Sequence, residues 1–269
     1  MGEGELSRRV VRQISKYPEP KEIFKLIKTR GWDYALEYRN DYWCRDRAMM
    51  ALCFCSAGRI TEVVGGPQYE VQLVGKKDKA VIVGEHPGLN RDDLVISNSY
   101  ITISNMKVVK RSRKVIQKYG ESVTRRDDFI IPLKCDLYTN RFWNQLVPFG
   151  WVILEYLQCF SPKNKLFPYS RQRAWQIIRA ITGMFPNWFR AQAEHFYGHF
   201  LITDSVKLAK FVKVVRPEQI GHYIGYSWTE QLKESESPID FNWIEDEVKK
   251  TKIRIAKKGQ IERKGINYG

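Results

Sequence analysis

One stretch constrains the fold of this chain more than any other. After Arg47 the residues Ala48-Met49-Met50-Ala51-Leu52-Cys53-Phe54-Cys55 are all apolar, preceded by Tyr42-Trp43-Cys44-Arg45-Asp46-Arg47. Together they predict a helix over 42–57. A helix that is apolar on every side has to be enclosed by other elements, so this one is expected at the centre of the molecule. Gly58 is expected to close it, with Arg59 just past that end. The 269 residues suffice to build a core around it, and a content of 43% hydrophobic and 13% aromatic residues excludes disorder for the bulk.

Along the chain, residues 1–16 are polar and basic and read as an arm, which Tyr17-Pro18-Glu19-Pro20 stops. Glu19 to Thr29 predicts a helix with Ile23, Leu26 and Ile27 on one face, ended by Gly31. From Tyr69 to Leu133 the period changes to strands, at Tyr69–Val74, Ala80–Val83, Tyr100–Ser104 and Phe129–Leu133. Gly75-Lys76-Lys77-Asp78 reads as a hairpin turn. Helices return from Tyr138 to Cys159, interrupted near Pro148-Phe149-Gly150. Ser170 is the expected N-cap of a helix over 171–184. A further helix runs from Trp188 to Phe200, and Asp204 or Ser205 caps a run to Lys213. Pro217 begins a short element that carries Tyr223, and the tail holds an amphipathic helix from about Asn242 to Ile255. This order predicts an α+β fold, mainly helical, with a small antiparallel β-sheet on one side, and no internal repeat.

Lys and Arg number 45 against 30 Asp and Glu, a formal charge of +15. Such an excess predicts a polyanionic partner whose affinity falls steeply with salt. The densest basic stretch starts at Lys107 and runs through Lys110, Arg111, Arg113 and Lys114. A charge run of this kind is commonly a solvated loop; between two strands it can also project into a nucleic-acid groove. No apolar run approaches the roughly 20 residues that span a bilayer, and no basic amphipathic anchor to a membrane is found. The opening Met1-Gly2-Glu3-Gly4-Glu5 lacks the order of a secretory signal. The five cysteines are scattered and odd in number, and read as reduced core residues of a cytoplasmic protein.

Three side chains stand out for chemistry. Ser56-Ala57-Gly58-Arg59-Ile60-Thr61-Glu62 sets an arginine after the apolar helix, and Pro186-Asn187-Trp188-Phe189-Arg190 sets another at the mouth of a later helix. Tyr223 follows Arg190 by 33 residues. Two guanidinium forks on phosphate oxygens and a phenol oxygen as nucleophile are what metal-free attack on a phosphodiester requires. In these residues the sequence resembles the tyrosine recombinase (integrase) family, over about residues 19 to 226.

The resemblance can be followed motif by motif. Gly58-Arg59-Ile60-Thr61-Glu62 is similar to the family's Gly-Leu-Arg-Ile-Ser-Glu-like motif, without the leucine. It implies that Arg59 is the first catalytic arginine and Glu62 its buttress. Taken alone, Arg59 reads as a cation offsetting a helix dipole. Ile101 to Lys107 and Ile130-Ile131-Pro132-Leu133 look like the flanks of the family's hairpin lysine. Lys107 is then the catalytic lysine, with Lys110 as the alternative, and Lys110, Arg111, Arg113 and Lys114 are DNA-binding. The second box, His-x-x-Arg in the family, has Asn187 in the histidine place and Arg190 as the second arginine. Asn187 can hydrogen-bond but is no acid or base at neutral pH. The next polar position of the family falls near Lys213, a candidate phosphate contact. Tyr223 fits the nucleophile, with Tyr226 three residues on as its rival. His195 and His199 have the i, i+4 spacing of zinc ligands, yet no third ligand cluster is evident in the sequence. No metal and no cofactor is implied.

The resemblance implies a domain organisation of a basic arm (1–16), a tyrosine recombinase-like catalytic domain (17–226) and a C-terminal tail (227–269). It implies a site-specific recombinase of a mobile element, an intracellular, DNA-associated enzyme of DNA recombination and integration. Such an enzyme cleaves and rejoins double-stranded DNA through a phosphotyrosine intermediate. Trp243, Ile244 and Val248 in the tail would pack on a partner subunit, giving self-association on DNA, or on the chain's own core. Three other functions fit parts of the pattern: a DNA-binding relative that does not cleave, a topoisomerase-like relaxing enzyme, and a basic RNA-binding module that stacks bases on Trp and Tyr.

Overall fold

The apolar helix is α2, Asn40–Cys55, where α1 is Pro20–Lys28. In the computed structural model, which describes residues 18–28, 40–74, 77–108, 126–135, 141–160, 162–202, 204–212 and 239–265, every residue of α2 from Asp46 to Cys55 is buried. It is packed by α1, α3 (Ile60–Val64), α4 (Val147–Phe160), α5 (Arg171–Thr182) and α6 (Pro186–Phe196). The helix apolar on all sides is thus central, as its composition requires.

The end of α2 differs from expectation. The left-handed residue is Ala57, φ 48°, and not Gly58. Gly58 N–H donates to the Cys53 carbonyl and Ala57 N–H to that of Phe54, the two bonds of a Schellman cap. At 58 a Cβ would lie 2.5 Å from Ser56 Oγ and 2.7 Å from Met106 Cε, so these side chains would have to shift to admit one. The cap throws the chain at once into α3.

Two antiparallel sheets follow instead of one. β1 (Gly66–Val74) and β2 (Lys77–His86) form a hairpin with a bulge at Gln68/Tyr69. Both are longer than their apolar alternation indicates, because the ladder extends over Gly, Pro, Gln and Glu. The turn residues Gly75 and Lys76 lie outside the described residues. The second sheet has the order β3-β4-β5, namely Leu94–Ile96, Tyr100–Ile103 and Phe129–Pro132. Its inner face buries Leu94, Ile101, Ile103, Phe129 and Ile131. β3 has too few residues to show a period and is absent from the sequence reading.

Pro148-Phe149-Gly150 does not interrupt a helix but begins one. Residues Arg141–Leu146 form a 3-10 turn, and α4 opens with Val147-Pro148, where the missing proline N–H costs nothing. Gly150 lets α4 approach β5, since any Cβ there would be driven into the Pro132 carbonyl oxygen. Ser170 caps α5 by accepting from Arg173 N–H at 3.2 Å. α6 begins with Pro186 in its first turn and gives way at Tyr197–Leu201 to a π turn, where regular helix was expected. Asp204 caps α7 (Ser205–Val212), taking the N–H groups of Val206 and Lys207.

The tail helix α8, Phe241–Gly265, runs past Ile255 and packs on α4. Of the two placements open to its apolar residues, the structure has the chain's own core. Ile244 is fully buried, and the Trp243 ring lies 5.7 Å from that of Phe24 in α1. Ion pairs Lys21–Asp240 and Lys28–Glu247 tie α1 to the start of α8. Arg254 forks onto Glu155 of α4, at 2.8 and 3.1 Å, beside the buried Arg47. None of the five cysteines forms a disulfide; Cys44, Cys53 and Cys55 are buried, while Cys135 is exposed and no core residue. No helix of the described residues is long and apolar enough to cross a membrane. The architecture is α+β and mainly helical with small antiparallel sheets.

Candidate functional site

The turn after α2 gathers arginines from three parts of the chain. Arg59 precedes α3, with its backbone N–H on Glu62 Oε2 at 2.9 Å and its Nη1 on Glu62 Oε1 at 3.0 Å. Glu62 is fully buried and takes a second guanidinium, Arg126 Nη2, at 2.7 Å. Arg126 stands just before β5 and donates as well to the carbonyls of Ser56 and Ala57, at 2.8 and 3.1 Å. Arg190 in α6 reaches the same place. Its Nη1 donates to the Ala57 carbonyl at 3.0 Å and its Nη2 to that of Val212 at 2.8 Å. Its Nε pairs with Glu194 at 2.7 Å.

The protonation states follow from burial and these charges. Burial alone would raise the Glu62 carboxyl, but Arg126, Arg59 and Arg190 outweigh it and hold the pKa down at about 2. Burial lowers Arg190 to about 10, opposed by Glu194 and reinforced by Arg59 and Arg126. Glu194 is pushed up by burial, against the pull of the same three arginines. At neutral pH three guanidinium groups face two carboxyl groups here, so the site keeps an excess of positive charge. Side-chain exposure separates the arginines: 36% for Arg59, 8% for Arg190 and 2% for Arg126. Among the described residues Arg190 donates through both terminal nitrogens, and its Nε faces Glu194.

Lys107 is exposed and follows β4. Its carbonyl accepts from His86 Nε2 at 3.1 Å, while Gly88 N–H donates to His86 Nδ1 at 3.0 Å. His86 is therefore the neutral Nε2–H tautomer, in keeping with the burial that lowers its pKa. Arg126 N–H donates to the Met106 carbonyl at 2.9 Å, closing the base of the segment that Lys107 opens. Asn187 is exposed in the first turn of α6, one turn before Arg190.

The structure thus brings Arg59, Glu62 and Arg190 together, with Lys107 on a neighbouring stem. Lys110, Arg111, Arg113, Lys114, Lys213, Tyr223 and Tyr226 lie outside the described residues. His195 and His199 are buried with ring centroids 4.3 Å apart. Among the described residues no three His, Cys, Asp or Glu side chains come together as metal ligands. Sequence reasoning missed Arg126, His86 and Glu194. Arg126 stands in Arg125-Arg126-Asp127-Asp128, which reads as a solvated loop. Glu194 carries the one available signal, lying one helical turn after Arg190.

No family model matches the sequence, and no curated protein is matched. Among solved structures the chain is similar to the XerH site-specific recombinase bound to difH substrate in a pre-cleavage complex. The identity is 12% and the TM-score 0.42, over 82% of this chain and 52% of that one. A post-cleavage complex of XerH with palindromic difH gives 13% and 0.43, over 82% and 53%. The chain therefore spans about half the length of these recombinases.

Proposed function

We propose that this chain is a tyrosine recombinase that cleaves and rejoins DNA strands without metal or ATP. The observation that carries the reading is the bond from Arg190 Nη1 to the Ala57 carbonyl, across 133 residues of sequence. It seats the second arginine of the motif two residues from the first, in a pocket with excess positive charge. In this reading Tyr223, with Tyr226 as the alternative, attacks a scissile phosphorus. A phosphotyrosine forms at the 3′ end, and the 5′ oxygen leaves. Arg59 and Arg190 neutralise the non-bridging oxygens as charge builds on them. Lys107, or Lys110, protonates the leaving oxygen. Glu62 orients Arg59, and Asn187 and Lys213 add hydrogen bonds to the phosphate. The basic residues Lys110, Arg111, Arg113 and Lys114 hold the duplex. A free 5′-hydroxyl on another strand reverses the step, giving strand exchange and integration.

A second reading has its own support. Glu194 and two carbonyls engage Arg190, and Asn187 replaces the histidine of the motif. Both features suit a relative that binds DNA without cleaving it. One experiment separates the two: incubation with a nicked suicide duplex in EDTA, followed by a denaturing gel. The recombinase reading expects a covalent protein–DNA adduct from the wild type, lost in Tyr223→Phe and reduced ~10²–10³-fold in Arg190→Ala. Salt-sensitive duplex binding with no adduct would leave the binding relative.

A further inference from the structure

We propose that Arg126 is the positioning residue of this site, the joint that holds Arg59, Arg190 and the lysine-bearing stem in one register. What the positioned groups then do rests on the strand-cleavage reading; that they are positioned by Arg126 does not. The two arginines of the motif never bond to each other, and Arg126 shares an acceptor with each. With Arg59 it shares the Glu62 carboxylate, and with Arg190 it shares the Ala57 carbonyl.

Its other bonds reach the remaining walls. Nη1 donates to the Ser56 carbonyl at the end of α2 and, at 3.4 Å, to that of Phe211 near the end of α7. The backbone N–H of the same residue is bonded to Met106, the neighbour of Lys107. One planar fork therefore indexes the α2 cap, α3 and α7 against one another, and the backbone of the same residue ties them to the stem. Arg126 is almost fully buried with both terminal nitrogens committed, so it acts through the other groups and does not touch a ligand. A lysine cannot replace it, because one ammonium has no rigid fork to span separated acceptors. Without the fork, Glu62 loses the Arg126 guanidinium, and the Ala57 carbonyl loses one of its two donors. The Arg190–Ala57 bond remains, but the rigid link from that carbonyl to the carboxylate that holds Arg59 is gone. A misplacement of about 1 Å costs ~10²-fold in a step that depends on alignment.

The test uses the full chain as wild type, Arg126→Gln and Arg126→Lys. Each is checked by thermal melting and by duplex binding in fluorescence anisotropy. Both variants are expected to bind the duplex within about threefold of wild type, since the exposed cations are intact, while single-turnover adduct formation at saturating DNA falls ~10²-fold. A folded Arg126→Gln that forms adduct within threefold of wild type overturns the proposal. Side-chain Nε–H resonances of ¹⁵N-arginine protein, titrated with inorganic phosphate, supply a readout that needs no cleavage. In the wild type Arg59 and Arg190 are expected to shift together with one apparent affinity, while Arg126 stays in place. In Arg126→Lys that affinity falls tenfold or more, or only Arg59 responds. If the wild type forms no adduct, the cleavage reading fails and this titration alone decides on Arg126. If neither variant folds, the wild-type titration still decides: direct binding of phosphate by Arg126, or no common response of Arg59 and Arg190, sinks the idea.

Discussion

Replacing Glu155 by glutamine tests how α8 and the centre of the molecule depend on each other. Glu155 is buried in α4 between two arginines: Arg47 Nη2 at 2.9 Å and Arg254 Nε at 2.8 Å. Their situations differ. The Arg47 side chain is 0% exposed, lies over the Trp43 ring, and has Nε and Nη1 without a hydrogen-bond partner among the described residues. Burial already lowers its pKa, and Glu155 is the first charge that opposes this. The Arg254 side chain is 31% exposed and can turn to water. Glu155→Gln keeps the shape and one acceptor but strands the Arg47 charge. Breaking a buried pair in this way costs about 3–5 kcal/mol. The Arg254 half adds less than about 1 kcal/mol, as for exposed pairs. At ~2–4 °C per kcal/mol for a chain of this size, the melting temperature should drop by about 6–20 °C. Circular dichroism melts of wild type, Glu155→Gln, Arg254→Met and the double variant Arg47→Met/Glu155→Leu provide the assay. Arg254→Met should fall by only a few degrees, and the double variant should return to within about 1 kcal/mol of wild type, because no charge is then buried. The reasoning is refuted if Glu155→Gln melts within 2 °C of wild type, or if the double variant is as unstable as the single one.

Asp46 is 1% exposed, its Oδ2 has no hydrogen-bond partner among the described residues, and burial raises its pKa from 3.8 to about 6 against the pull of Arg45. An acid raised in the folded state favours folding below its unfolded value, and that contribution is lost as pH climbs from about 4 through 6. Asp46→Asn should therefore stabilise the chain by about 1–3 kcal/mol at pH 7 and by nothing near pH 3.5, read from urea midpoints at the two pH values. Gly150→Ala should destabilise by about 1–3 kcal/mol, because its methyl group meets the Pro132 carbonyl and must push α4 off β5. Unchanged stability there would show that the contact yields.

The central helix was legible because an unbroken apolar run has one physical outcome, and the α5 and α7 caps were legible because Ser170 and Asp204 act locally. What escaped the sequence acts at a distance or below the resolution of a period. β3 is a three-residue strand that exists only through its ladder to β4. The left-handed residue is Ala57 and not the adjacent glycine, a shift of one position that nothing in the local sequence marks. At the site, the motif spacing pointed to Arg59 and Arg190, which do meet. Arg126 and His86 reach it from a polar loop and a strand end, where nothing local distinguishes a buried cation or imidazole from a solvated one.

The bond between Met106 and Arg126 pins both ends of the intervening stretch to one point of the scaffold. Lys107, the first residue past that point, is thereby held beside the backbone of the residue that joins the arginine cluster. A designer who kept Lys107 and Lys110 could vary the other residues of the stretch and leave that anchor in place.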